Sequence, residues 1–228
     1  MNILALETSM GACSAAVLRN GGAAPKLLAR YAPMERGHAE AVMPMVEEVM
    51  AEAGLDFADL GLIAVTTGPG SFTGVRIAIA AARGLALVTT AKLFGTDSLT
   101  VMARVAQKSG APNGPLAVAA DARRGMLYFG LYDAAGRKLE GPLLLAPDDA
   151  AAMLPPELRS AVGSGASLLA AAAQLRGQAI EAGLPELQPD AAALAEIACV
   201  SGETTPILRP LYLRPPDAKP QTQQVARR

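Results

Sequence analysis

The sequence predicts an α/β fold of two similar lobes with mixed sheets and a cleft between them, and three observations support it. Short apolar segments rich in β-branched residues alternate with longer segments of helical periodicity. Two strand-like segments, at residues 62–67 and 161–163, run into glycine-rich turns that are followed by helical segments. The chain has 228 residues, of which 51% are hydrophobic and 18% charged, so it can form one large or two small domains.

The first half of the chain is predicted to contain five strands and three helices. Residues 3–6, 13–18 and 27–31 are expected to be antiparallel strands, with a hairpin turn at Asn20-Gly21-Gly22. A helix over residues 39–53 is expected to end at Gly54, and Pro44 either kinks it or marks a late start of its regular part. Strands at 62–67 and 93–96 flank a helix at 71–88, and Ser98 is the expected cap of a helix that runs to residue 107.

The second half begins after a stretch of glycine and proline at residues 109–115, which predicts a linker. The expected domains are therefore an N-terminal lobe at 1–108, a smaller C-terminal lobe at 109–208, and a tail at 209–228 that is disordered beyond 214. The smaller lobe should contain strands at 116–120 and 126–132. A strand and glycine turn at 161–165, a helix to residue 176 and a last helix at 191–200 should follow.

Composition disfavours two classes of protein. The net charge is −1, with no Trp, four Phe and four Tyr, so an independent nucleic-acid binder is not expected. The longest apolar segment is interrupted by Arg76, Arg83 and Gly84, which argues against a membrane span. No signal peptide is recognised, and Cys13 and Cys199 have no metal-binding spacing. We therefore expect a cytoplasmic protein with reduced thiols.

Two polar loops are candidates for phosphate binding. The segment GPGSFTG at residues 68–74 lies between a buried strand and a helix, a position where backbone N–H groups bind anions. It matches neither the Walker A motif nor the dinucleotide fingerprint. Gly68, Gly70 and Ser71 therefore either cradle a phosphate or allow the strand and helix to pack closely. Thr8 and Ser9 likewise either contact phosphate beside an acid or make hydrogen bonds within the hairpin.

Other polar residues do not form a recognisable catalytic group. His38 is the only histidine, and there is no HxxxH, HExxH or Cys/His cluster, so metal catalysis by protein ligands is disfavoured. We expect His38 to begin the first long helix as a capping or interface residue. Asp121 and Arg123 either bridge the lobes or form an ion pair in a surface turn.

The faces of the first two helices are unusually apolar. The helix at 39–53 contains Met43, Met45 and Met50, and the helix at 75–88 is apolar almost all round. Methionine adapts to more than one partner surface, so these helices either pack only in the core or also bind another protein.

Several motifs together resemble the TsaB (YeaZ) family, and the resemblance covers nearly the whole chain. They are ILALETS at residues 3–9 with Cys13-Ser14, MPMV at 43–46, GPGSFTGVRI at 68–77, Asp121-Ala122-Arg123 with Tyr128, GSGA at 163–166 and LYLR at 211–214. The resemblance implies the duplicated RNase H-like fold of the actin/Hsp70-like (ASKHA) proteins.

The resemblance also implies a function. TsaB-like proteins are non-catalytic scaffold subunits in the formation of threonylcarbamoyladenosine in tRNA, and they pair with the transferase TsaD and the ATPase TsaE. By the same resemblance, this chain is expected to form a homodimer and to contact tRNA only as part of the complex. It is expected to bind no cofactor alone, with ATP or ADP bound only at the assembled complex. The transferase has acidic residues and a histidine pair for a metal, where this chain has Met10-Gly11-Ala12 and only His38.

The resemblance places the surface for both homodimer and heterodimer on the helices at 39–53 and 75–88. The candidate interface residues are Met43, Val46, Met50, Val75, Arg76, Ile79 and Arg83. We expect Met43→Glu or Ile79→Glu to abolish pairing, because a charge would be buried without a partner. The alternative function is a small ASKHA-type ATPase or sugar-kinase-like phosphotransferase that uses Thr8, Ser9, Gly70 and Ser71 on phosphate.

Overall fold

The computed structural model describes residues 1–19, 25–110 and 114–214 of the chain. In chain order the elements are β1 (Asn2–Glu7), β2 (Ala12–Arg19), β3 (Lys26–Pro33), α1 (His38–Ala53), a 3-10 turn (Phe57–Asp59), β4 (Leu60–Thr66), α2 (Phe72–Val88), β5 (Lys92–Thr96), α3 (Ser98–Lys108), β6 (Leu116–Asp121), β7 (Leu127–Tyr132), β8 (Lys138–Leu145), α4 (Pro147–Ala152), β9 (Ser160–Val162), α5 (Ala166–Leu175), β10 (Glu181–Gly183) and α6 (Ala191–Ser201).

Two five-stranded sheets repeat one topology. The first has the order β3-β2-β1-β4-β5, in which β1, β2 and β3 are antiparallel neighbours and β4 and β5 continue in parallel. The second has the equivalent order β8-β7-β6-β9-β10 with the same strand directions. This repetition confirms the predicted two-lobe α/β fold with mixed sheets, of the ASKHA type. The predicted turn at residues 20–22 lies outside the described residues.

Three elements of the second lobe were missed by the sequence prediction. Strand β8 has Gly141-Pro142 in its middle, which interrupts the alternation that predicts a strand. Helix α4 is only six residues long, and β10 is a three-residue edge strand, so neither has a measurable period.

The N-terminal sheet is covered on both faces. Helices α1 and α2 pack on one face, and α6 packs against β1 and β2 on the other. The expected C-terminal lobe at 109–208 is therefore wrong at its end, since α6 returns to the first sheet. Helix α3 lies between the lobes, with Val101 in the first core and Leu99 and Met102 in the second.

The segment that follows α6, residues 202–214, is an extended strap along the N-terminal lobe. The N–H of Thr205 donates to the carbonyl of Leu93 at 2.6 Å, and the N–H of Leu211 donates to the carbonyl of Thr67 at 2.7 Å. Leu208 is fully buried in the core beneath α1 and α2. The expected boundary at 209 is thus also wrong, because residues 209–214 continue the strap. The predicted disorder beyond 214 concerns residues outside those described.

Helix ends agree with the sequence prediction except at α3. Gly54 ends α1 in the left-handed conformation as expected, and α1 runs from His38 through Pro44 without a late start. The cap of α3 is Asp97 rather than Ser98, because the Asp97 carboxylate accepts from the N–H of Thr100 at 2.8 Å. Asp97 also accepts from the Nζ of Lys138 at 2.9 Å, which ties α3 to β8.

Candidate partner surface and the cleft between the lobes

The glycines of the 68–74 loop allow its backbone to lie against the loop that follows β1. The N–H of Ser71 donates to the carbonyl of Ser9 at 2.7 Å. A Cβ atom added at Gly70 would lie 2.2 Å from the Ser9 carbonyl oxygen, and one at Gly74 would lie 2.0 Å from that of Thr8. Gly68 has a φ of +107°, and its added Cβ would lie 2.8 Å from the Leu211 carbonyl oxygen. Three glycines are therefore required for close backbone contact.

The hydroxyl groups of these loops already have hydrogen-bond partners. Ser71 is the N-cap of α2, and its Oγ accepts from the N–H of Gly74 at 2.9 Å. Thr8 and Ser9 are fully buried, with the Thr8 Oγ1 donating to the carbonyl of Gly74 at 2.6 Å and the Ser9 Oγ 2.9 Å from the Ser98 Oγ. Of the two alternatives left open by the sequence, the structure shows hydrogen bonds within the protein, and contact with phosphate stays a prediction.

Glu7 is a fully buried carboxyl group at the end of β1. One of its oxygens accepts from the N–H of Ser9 at 2.5 Å, and the other accepts from the hydroxyl of Thr66. Burial raises the pKa of Glu7 to about 7, and the hydrogen bonds from Ser9 and Thr66 offset part of that increase. Glu7 connects β1 to β4 below the loop contact, and it does not face an open ligand site.

A cavity of about 1210 Å³ separates the lobes, lined among others by His38, Ser71, Asp121, Tyr128 and Ser164. Three backbone donors at its edge have partners within the chain. The N–H of Gly11 donates to the Oε1 of Gln188 at 2.8 Å, and that of Arg123 donates to the Asp121 carboxylate at 2.7 Å. The N–H of Asp121 donates to the Oγ of Ser164 at 2.9 Å.

His38 and Asp121 have structural contacts. His38 is the first residue of α1 and is buried, with its Nε2 donating to the Met10 carbonyl at 3.0 Å. Asp121 forms an ion pair of 3.6 Å with Arg123 inside one turn, as the surface-turn alternative predicted. Within residues 1–19, 25–110 and 114–214, no group of three His, Cys, Asp or Glu side chains could hold a metal ion.

Four of the predicted interface residues lie in the core. Val46, Met50, Val75 and Ile79 are at most 3% exposed and pack between α1, α2 and the sheet. Their prediction as surface residues is wrong because helical periodicity places them on the sides that face β-strands. Met43 is half-buried, and Arg76 and Arg83 are exposed.

The remaining outward side of α1 and α2 is a continuous surface, which we call the helix-pair surface. It consists of the exposed or half-buried residues Glu40, Met43, Pro44, Glu47, Ala51, Thr73, Arg76, Ile77, Ala80, Arg83, Gly84 and Leu87. Half-buried Met43 and Ile77 pack partly against the core of the lobe. Small and apolar residues predominate on its α2 side, as at surfaces that pack closely against another helix.

A stacked group at the N-terminal end of α2 was not predicted from the sequence. The rings of Phe72 and Tyr212 stack with centroids 5.3 Å apart, and the Arg76 guanidinium lies 3.6 Å from the Phe72 centroid. The Nε of Arg76 donates to the Tyr212 hydroxyl at 2.7 Å. Only the LYLR motif at residues 211–214 singled out Tyr212, and it gave no indication of the contact with α2.

No helix in the described part of the chain is both long enough and apolar enough to cross a membrane.

Comparison with known proteins agrees with this architecture. The family model described as "TsaD: tRNA N6-adenosine threonylcarbamoyltransferase" matches residues 14–209. The Escherichia coli tRNA threonylcarbamoyladenosine biosynthesis protein TsaB is 38% identical over 133 residues, which are 58% of this chain and 55% of that protein. The Haemophilus influenzae TsaB is 36% identical over 57% of this chain and 52% of its own length. The chain thus spans just over half the length of these curated relatives.

Longer matches come from other proteins. An uncharacterized Mycobacterium tuberculosis protein is 33% identical over 96% of this chain and 94% of its own length. The solved structure of YeaZ from Pseudomonas aeruginosa is 30% identical with a TM-score of 0.77, and covers 93% of this chain and 99% of that one. A second Pseudomonas aeruginosa structure, described as similar to peptidase YEAZ, is 31% identical with a TM-score of 0.81 and the same coverage. The common fold and these matches show that the chain belongs to the TsaB (YeaZ) family, within the broader TsaD-type family.

Proposed function

We propose that this chain is a non-catalytic partner subunit in the biosynthesis of threonylcarbamoyladenosine in tRNA. Its curated relatives carry the name of that pathway, and its fold over nearly the whole length is that of YeaZ. The proposed partners are a TsaD-like transferase, a TsaE-like ATPase and a second copy of the chain. In this proposal the chain contacts tRNA only as part of the complex, and ATP or ADP binds only at the assembled complex.

The observation that supports the non-catalytic role is that several backbone donors of the loops already donate to groups of the protein itself. Phosphate sites of this kind need backbone N–H groups that point at the anion without another acceptor. Here the N–H groups of Ser9 and Arg123 donate to carboxylates, that of Gly11 donates to an amide oxygen, and that of Gly74 donates to a hydroxyl. A phosphate would have to displace these acceptors, and near Asp121 it would also meet a like charge.

Reconstitution tests this function. Purified chain should bind no ATP in the micromolar range and should show no turnover by itself. With a TsaD-like transferase, a TsaE-like ATPase, threonylcarbamoyl-adenylate and tRNA, modified tRNA should form, and omission of this chain should abolish it. Micromolar ATP binding with turnover by the isolated chain would instead support the phosphotransferase alternative.

The surface proposed for pairing is the helix-pair surface, which is available without unfolding the lobe. Met43→Glu and Ala80→Glu should each weaken pairing with the transferase by about tenfold or more, because a carboxylate would be desolvated in the contact. Calorimetric titration against the purified transferase measures the effect. Ile79→Glu is not a suitable test, since Ile79 is buried in the core and the charge would unfold the lobe.

Leu175→Glu is the matched control for these variants. Leu175 is an exposed apolar residue at the end of α5 in the other lobe. Leu175→Glu should leave the affinity for the transferase unchanged. Equal affinity of Met43→Glu, Ala80→Glu and wild type would show that the partner binds elsewhere.

A further inference from the structure

The turn between β6 and β7 holds two arginines in a backbone conformation that favours glycine. Arg123 and Arg124 have φ values of +64° and +56°, and Gly125 follows with +70°. A side chain in this left-handed region crowds the neighbouring carbonyl oxygen, so glycine or asparagine is the usual residue there. Strained conformations of this kind concentrate at functional sites. The shape of the turn alone does not require arginine, which points to a role for the two side chains.

Hydrogen bonds hold the backbone of this turn in place. The N–H of Arg123 donates to the Asp121 carboxylate at 2.7 Å. The N–H of Ala122 donates to the carbonyl of Met126 at 2.9 Å, and the N–H of Met126 donates to the carbonyl of Arg123 at 3.2 Å. The Ser164 hydroxyl accepts from the N–H of Asp121 at 2.9 Å. The arginine side chains therefore extend from an ordered backbone, so less freedom is lost when they bind a ligand.

Both arginine side chains of the turn are exposed. The side chain of Arg123 is 85% exposed, although its Nη1 lies 3.6 Å from the Asp121 carboxylate. Arg124 is exposed as well. One ion pair at this distance uses only part of the five N–H donors of a guanidinium group. Arg123 thus retains donors for an acceptor outside the chain.

The end of the strap adds a third arginine. The Nη2 of half-buried Arg214 donates to the carbonyl of Arg123 at 3.3 Å. Strap residues 209–214 contain two arginines and no acid, and the turn at 121–125 contains two arginines and one aspartate. The whole chain has a net charge of −1, so this is a local basic surface. We call Arg123, Arg124 and Arg214 the arginine edge.

The arginine edge adjoins the helix-pair surface. Tyr212, two residues before Arg214, accepts a hydrogen bond from the Nε of Arg76 at 2.7 Å. Arg76 belongs to the helix-pair surface, so the strap connects the two surfaces. A transferase that pairs with α1 and α2 would lie beside the arginine edge, and one substrate could contact both proteins.

Charge favours a polyanion on the outside of the turn over a small anion in the cavity. The cavity between the lobes is also lined by Glu35, Glu40 and Glu186, which repel an anion that enters it. Arginine matches the geometry of phosphate through paired N–H donors. Exposed arginines on an ordered turn are therefore suited to the phosphate backbone of a nucleic acid.

We propose that the arginine edge contacts the phosphate backbone of tRNA in the assembled complex. This inference rests on the proposed function, which supplies the transferase and the tRNA, and it adds the residues of this chain that contact the RNA. Three arginines are too few for tight binding by the chain alone, in agreement with its net charge. Beside a transferase that holds the same tRNA, they act at a high effective concentration.

An asparagine variant of the turn separates binding from structure. Arg123→Asn with Arg124→Asn removes both charges and introduces a residue that tolerates the left-handed conformation. In complex with the transferase, this variant should bind unmodified tRNA transcript about tenfold more weakly than wild type. The slope of log affinity against log salt should fall by about two, because two phosphate contacts are lost. Its melting temperature should not fall, since the strain is relieved. Fluorescence anisotropy of labelled tRNA at several salt concentrations measures the binding.

Two further variants are controls. Arg123→Lys with Arg124→Lys keeps both charges and should retain most of the affinity for tRNA. Arg176→Asn removes an exposed arginine of the same lobe that follows the last residue of α5. Helix α5 begins beside Ser164 and has ten residues, so Arg176 lies roughly 15 Å further along the helix. This variant should bind tRNA like wild type.

Equal affinity and equal salt dependence of the asparagine variant and wild type would overturn the inference. Loss of pairing with the transferase in calorimetric titration would also overturn it, since the turn would then be a protein contact. Formation of modified tRNA by the wild-type mixture is measured in parallel. If that mixture forms none, the proposed function fails and the inference fails with it. If modified tRNA forms while the asparagine variant binds tRNA like wild type, only the inference fails.

Discussion

Gly74→Ala should destabilise the protein by more than about 3 kcal/mol, since overpacking against rigid backbone is among the most costly substitutions. The added methyl group would lie 2.0 Å from the carbonyl oxygen of Thr8 and 2.6 Å from the Oγ of Ser71. Neither atom can move away easily, because the Thr8 carbonyl is backbone of a fully buried residue and the Ser71 Oγ is held as the cap of α2. The start of α2 would have to move away from β1. Urea denaturation measures the change in the free energy of unfolding.

Gly84→Ala is the matched control in the same helix. No atom lies within 4 Å of an added Cβ at Gly84, which is exposed. Alanine there should stabilise the protein by roughly 0.5–1 kcal/mol, because glycine loses more backbone freedom in a helix. If Gly74→Ala remained within about 1 kcal/mol of wild type, the contact between the two loops would not have the role described above.

Glu7→Gln should remove a large part of the pH dependence of stability. The pKa of Glu7 is about 7 in the folded chain and 4.5 as the ordinary value, because burial disfavours the charged form. Between pH 4.5 and 7 the folded protein retains this proton while the unfolded chain has lost it. The free energy of unfolding therefore falls as pH rises through this window, by about 3 kcal/mol in total. Above pH 7 the contribution of Glu7 no longer changes with pH.

Denaturation at pH 5, 6, 7 and 8 tests this expectation. Glutamine is neutral throughout, so the difference in unfolding free energy between wild type and Glu7→Gln should change by about 3 kcal/mol in favour of the variant as pH rises. At low pH the two proteins should differ least, since the protonated carboxyl of Glu7 and the amide of glutamine are both neutral and each offers an accepting oxygen and a donor to Ser9 and Thr66. Glu157→Gln, an exposed control, should follow wild type. Parallel curves for Glu7→Gln and wild type would contradict the assignment.

Both predictions concern the same junction, where β1, β4 and the start of α2 meet. Glu7 connects β1 to β4 through the Thr66 hydroxyl. The next two residues, Thr8 and Ser9, form hydrogen bonds with the backbone of Gly74 and Ser71 in the 68–74 loop. This junction determines where α2 begins and thereby where Arg76 projects on the helix-pair surface. The loop thus has a structural role that requires its glycines and that does not depend on phosphate.

Most elements of the first lobe could be predicted because their signals are local. The antiparallel β1, β2 and β3, the Gly54 end of α1 and the strand–turn–helix unit of β4 and α2 follow from apolar period and turn residues. The same rules failed for β8, which contains Gly141-Pro142, and for β10, which has three residues. Asp97 was missed as a cap because Ser98 next to it has the same preference.

The candidate interface was only partly predictable. An apolar helix shows that both of its sides are suited to packing, but not which side faces the sheet and which faces outward. Val46, Met50, Val75 and Ile79 therefore appeared equivalent to Met43, although they are core residues. The contact between Tyr212 and Arg76 joins residues that are far apart in sequence, so no local period could indicate it.

By itself the sequence determined the fold class, the duplicated strand–turn–helix units and the resemblance to the TsaB family, because these depend on local period and on motifs. Only the tertiary structure decided that the GPGSFTG loop packs against the loop after β1, that α6 and the strap return to the first lobe, and that Phe72 and Tyr212 hold Arg76. The physical reason is that occupation of a backbone donor and burial of a side chain are set by distant segments. Sequence shows which groups can bind, and the packed chain shows which of them are already bound.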